Sequence, residues 1–153
     1  MTNSTSSNVG KGIIAGFAAT IVLSALMLVK QMMGLMPELD SIAMLSKMVG
    51  NISPVMAWVA HFMIGSVVWG VLYAWLAPSL PGPNWFKGAL FATGAWLAMM
   101  IAIMPMAGAG LFGLSLGMTA PIATLMLHWV FGAVLGVVYG VLGDQSSKTV
   151  GAH

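Results

Sequence analysis

Two histidines lie inside long apolar runs of this chain, each in the same frame: a proline, six residues, the histidine, three residues and a glycine. The first frame is Pro54, His61 and Gly65 in PVMAWVAHFMIG; the second is Pro121, His128 and Gly132 in PIATLMLHWVFG. An ionisable ring within a membrane segment is expensive to place there and marks a functional candidate by default. Imidazole nitrogen ligates copper and haem iron, and thioether sulfur joins it in suiting Cu(I). Met56, Met63 and Met126 sit on the same two segments. A convergent His61–His128 pair with those sulfurs would therefore form a copper site, or a haem site if the helices leave an open slot. The same residues admit a plainer role, in which each ring hydrogen-bonds a hydroxyl or carbonyl, pins a neighbouring helix and holds no cofactor.

Other chemistries are thinly represented. The chain has no cysteine, which excludes disulfides, iron–sulfur clusters, thiol catalysis and thiolate metal sites. No nucleophile–base pair, phosphate loop or hydrolytic metal motif occurs, so a non-enzymatic protein is expected. The acidic residues Glu38, Asp40 and Asp144 all fall in loops or tails, which argues against a proton-coupled carrier. A small transporter or channel subunit is a further alternative, supported only by an uncharged loop at 106–118. The net charge of +2 comes with five scattered lysines, a pattern that gives nucleic acid no basic stripe.

The histidines need membrane helices to position them, and composition supplies these. Of 153 residues 59% are hydrophobic and only 5% charged, with a mean hydropathy of +0.99. A soluble domain carries about 25% charged residues. Four stretches, near residues 12–35, 54–76, 85–105 and 120–142, approach the roughly 20 residues that cross a bilayer core as a helix. The first outruns the 7–15-residue apolar core of a signal peptide, so it reads as a permanent helix. The chain reads as one membrane domain, 1–153, with polar tails at 1–10 and 144–153.

Boundary signals agree with these spans. Ser53-Pro54 and Thr119-Ala120-Pro121 place capping hydroxyls beside first-turn prolines. Gly143 reads as a stop for the fourth helix. Residues 77–84 form a proline-rich breaker flanked by Trp75 and Trp85 at headgroup level. Both tails and this breaker share one side of the membrane, the tail side. The opposite, loop side carries a short interfacial helix near 38–49 and the apolar loop 106–118, which is expected to pack over the bundle mouth. Lys11, Lys87 and Lys148 lie on the tail side and Lys30 and Lys47 on the other, so the positive-inside rule places both termini in the cytoplasm. After Met1, every methionine falls in the loop-side half, where the histidines also lie, about 10 Å deep by helical rise.

The frames imply a repeat. Lys11-Gly12 opens the first helix as Lys87-Gly88 opens the third, and Tyr73 and Tyr139 occupy nearly matching places in the second and fourth. Two hairpins of the same direction predict a parallel repeat about an axis along the membrane normal. Gly65 and Gly70 on the second helix, and Gly132, Gly136 and Gly140 on the fourth, form small-residue faces that let helices approach closely. The leading expectation is a structural or accessory component that packs through these faces within the bundle, with another copy, or with a membrane-protein partner. With KGIIAGFAAT opening the first helix and GLMPELDSIAML following it, residues 10–143 resemble small bacterial inner-membrane proteins known chiefly as a domain of unknown function. That resemblance implies a bacterial source, four helices and a plasma-membrane location, and carries over no activity and no site residue.

Overall fold

The computed structural model describes residues 2–150, with side chains placed from residue 8 to residue 144. His153 and the end of the expected C-terminal tail lie outside the described residues. Every regular element among those residues is helical: α1 is Thr2–Met32, α2 Ser41–Met48, α3 Pro54–Ser79, α4 Asn84–Met106 and α5 Thr119–Val150. Four of these, all but α2, are long and apolar enough to cross a membrane. Only 22–33% of each apolar stretch is buried inside the protein, so most of its hydrophobic surface needs lipid or a partner as solvent.

Local chemistry sets the ends. α1 stops where Gly34 turns left-handed at φ 65° and Leu35 N–H reaches back to the Lys30 carbonyl at 3.1 Å, the six-to-one bond of a Schellman turn. Lys30 reinforces this corner by donating from Nζ to the Met36 and Leu39 carbonyls at 3.1 and 2.5 Å. Asp40 caps α2, accepting from Ile42 and Ala43 N–H at 3.0 and 2.9 Å. Ser53 caps α3 ahead of Pro54, accepting from Met56 N–H at 3.4 Å. The fourth helix departs from expectation at its end. α5 runs through Gly143 to Val150, because Gly143 does not take the left-handed conformation that a stop requires.

Two turns inside the long helices are π-helical, Ile64–Trp69 in α3 and Met99–Ile103 in α4. The helices pack through small residues. A Cβ added to Gly12 would strike the Gly70 carbonyl, and one added to Gly16 would strike the Gly65 and Ser66 backbone, so α1 and α3 lie antiparallel in contact. In α4 and α5 the corresponding contacts are Gly88 with Gly132 and the Asn84 backbone with Gly136. Gly65 faces Thr20, and Gly140 faces the Asn84 side chain.

The interior forms two layers. One, in the tail-side half, is built from Ala15, Ala19, Tyr73, Phe91, Phe131 and Leu135. The other, in the loop-side half, centres on Leu39, Met100, Met104 and Ala109. The 106–118 loop folds onto this second layer, with Ala109 and Gly113 buried and Gly113 against Met104. Gly108, Gly110, Gly113 and Gly117 all have positive φ there, which lets so apolar a segment double back over a short 3-10 turn at Leu111–Leu116.

Candidate functional site

Between the two layers lies a cavity of about 180 Å³ to which all five helices contribute. α3 brings His61 into its wall and α5 brings His128. Both rings reach it because each histidine precedes by one turn a glycine that is pressed against a neighbouring helix, Gly65 on α1 and Gly132 on α4. Both π-helical turns border the same space, through Ile64, Gly65 and Trp69 and through Met99. A π-turn carries an extra residue, bulges the helix and recurs at functional sites.

The two rings are held differently. His128 Nδ1 lies 2.7 Å from the Thr124 carbonyl of its own helix. A carbonyl only accepts, so Nδ1 carries a proton there, and Nε2 is the nitrogen left to offer a lone pair. Metal-binding histidines are oriented in this way, with the second nitrogen donating to a carbonyl or carboxylate. His61 Nε2 pairs with the Ser24 hydroxyl on α1 at 3.3 Å, and its ring stands perpendicular to that of Trp58 with centroids 5.7 Å apart. Among the described residues no buried side-chain nitrogen or oxygen lacks a partner. The two threonine hydroxyls in the wall are already engaged: Thr20 donates to the Gly16 carbonyl, and Thr124 donates to the Ala120 carbonyl and accepts from Trp96 Nε1 at 3.1 Å.

The sulfurs in the wall are not those the sequence singled out. Met56, Met63 and Met126 are 54–60% exposed and turn away from the cavity. Met63 and Met126 stand two positions from their histidines, a spacing at which helical side chains do not face each other. Met27 from α1 and Met99 and Met104 from α4 line the cavity instead. No group of three or more His, Cys, Asp or Glu side chains able to hold a metal occurs among the described residues, so a metal here would draw on thioethers as well as imidazoles. The five glycines expected at helix contacts, Gly65, Gly70, Gly132, Gly136 and Gly140, each lie against another helix of this chain.

The volume discriminates between the groups considered. At about 180 Å³, the cavity falls below the roughly 300–1,000 Å³ of pockets that bury drug-sized ligands. A haem does not fit, and the glycines that would have to open a slot for it are closed against neighbouring helices. A single ion with its ligands fits.

The chain belongs to a family of unknown function, DUF6789, whose model matches residues 6–150. No curated protein and no solved structure matches it.

Proposed function

We propose that this chain is a non-enzymatic integral protein of the bacterial inner membrane that holds copper(I) in the cavity between His61 and His128. The observation that carries this reading is the joint placement of both histidines in the wall of one cavity with Met27, Met99 and Met104. Imidazole nitrogen and thioether sulfur are the ligand set that selects Cu(I) over hard cations. The glycine faces of the scaffold reading engage helices of the same chain, which is the within-bundle form of that reading and is compatible with an ion held in the cavity. The lysine distribution supports cytoplasmic termini, which turns the methionine-rich loop side outward.

The two hairpins are copies of one unit in this reading. Pro54, His61 and Gly65 precede Pro121, His128 and Gly132 by 67 positions, whereas Gly70 and Tyr73 precede Gly136 and Tyr139 by 66. The one-residue difference arises within the π-helical turn Ile64–Trp69 of α3, which holds one residue more than an α-turn. Tyr73 and Tyr139 meet edge to face with ring centroids 5.3 Å apart, as equivalent residues do beside a twofold axis. The axis then relates His61 to His128 across the cavity.

Copper(I) titration of the detergent-purified protein against a chromogenic chelator tests the site. One tightly held ion per chain is expected in the wild type, and loss of that ion in His61→Ala and in His128→Ala alike. Wild-type affinity in either variant would leave two independent structural histidines and end the reading.

A further inference from the structure

Some of the remaining methionines lie between the histidine cavity and the loop-side surface, in a groove and in the buried layer beneath it. On the loop side lies a groove of about 260 Å³, walled by Met44 and Met48 of α2, Met106 at the end of α4, Glu38 and Lys47. Met44 also packs against the buried layer of Met100 and Met104, and Met104 itself lines the histidine cavity. Groove, layer and cavity therefore join through shared side chains rather than through open space. Leucine would fill these positions with similar volume and defined rotamers, and the tail-side layer does use leucine, alanine and aromatic residues. What distinguishes the loop-side layer chemically is its sulfur. Glu38 and Lys47 balance in charge at the groove, so any ion it takes is selected by thioether softness and not by net charge.

We infer that the groove formed by Met44, Met48 and Met106 is a second, entry site for a soft monovalent cation, which passes from it through Met100 and Met104 to the histidine pair. The inference rests on the copper reading of the cavity and adds a site, a route and a direction to it. The ion stays Cu(I) throughout and exchanges one thioether for the next, so no electron or proton is transferred. The groove is on the loop side only, so loading is directional.

Silver(I), a redox-inert soft ion, is the probe, presented to the full chain in oriented proteoliposomes from one face or the other. The variants are the triple substitution Met44→Leu/Met48→Leu/Met106→Leu and the single Met100→Leu, volume-conserving changes outside the cavity wall that should leave the detergent melting temperature nearly unchanged. Wild-type protein should load faster from the loop side. Each variant should load the histidines roughly tenfold more slowly from that side, the effect of losing about 1.4 kcal/mol of ion stabilisation along the route. Histidine ring signals in NMR report occupancy of the cavity, and sulfur-only coordination in X-ray absorption reports the groove. Wild-type loading rates in the triple variant, or equal rates from the two faces, would overturn the route while leaving the cavity site intact. Silver held through sulfur alone, and lost in the triple variant, would overturn the histidine site and leave the groove standing. No silver uptake by the wild type overturns both.

Discussion

Replacing glycine by alanine at Gly94 and at Gly132 should shift stability in opposite directions. Both lie within helices long and apolar enough to cross a membrane, and in a helix interior alanine is favoured over glycine by about 0.5–1 kcal/mol. At Gly94 an added Cβ meets nothing within 4 Å, so Gly94→Ala should gain about that amount. At Gly132 the same methyl would stand 2.5 Å from the Ala92 Cβ and would overlap the Gly88 carbonyl oxygen. Neither neighbour can rotate aside, because one is backbone and the other is fixed to it. α4 and α5 must therefore separate, and overpacking of this kind costs about 1–3 kcal/mol. After the propensity gain is subtracted, Gly132→Ala should lose up to about 2.5 kcal/mol, and because both variants share that gain they should lie about 1–3 kcal/mol apart. At this chain length 1 kcal/mol moves the melting temperature by roughly 2–4 °C, so the variants should melt about 2–12 °C apart. Thermal melting of both in one detergent, followed by circular dichroism, reads the difference. Equal shifts, or a Gly132→Ala variant that melts above the wild type, would refute the close α4–α5 contact.

Two further outcomes follow from the connections between helices. Reporter fusions at Asn84 and at the C-terminus should agree with each other and oppose a fusion within residues 41–50; disagreement between the first two would remove α4 or α5 as a crossing. Lys30→Met removes two hydrogen bonds from a charged donor, to Met36 and Leu39, so it should cost about 1.5–3 kcal/mol and speed amide exchange over 36–42. Unchanged exchange in that corner would show that Lys30 does not hold it.

Much of the fold was legible because its signals are local. Spans of the right length, the Ser53-Pro54 cap and the polar–apolar pattern near 38–49 each depend on neighbours within one or two turns. The glycine at the end of α5 was misread for the complementary reason. Gly34 and Gly143 look alike in sequence, yet only Gly34 is left-handed, because there the chain must turn back toward α2. The π-helical turns have no residue signature. Their one trace was the slip that put Tyr73 and Tyr139 in nearly, but not fully, matching places, a mismatch of a single residue that falls within Ile64–Trp69.

The site divides along the same line between local and non-local information. Each histidine's facing is set on its own helix, since the glycine one turn later must meet a neighbour and carries the ring to the same face. The choice of sulfurs is not local, because Met27, Met99 and Met104 come from α1 and α4, and only the packing of four helices brings them opposite the imidazoles. Part of this placement is legible in the sequence, since a methionine two positions from a histidine points to another face by helical geometry alone. The cavity itself follows from the contrast between the two halves of the bundle. Glycine contacts draw α1 onto α3 and α4 onto α5 and pack the tail side with small and aromatic residues. Toward the loop side the long thioethers and the folded-back 106–118 loop hold the helix ends over a second layer. The space left between them is bordered by two π-turns and shared by two histidines with Met27, Met99 and Met104, so the methionine asymmetry and the histidine frames are two aspects of one packing arrangement.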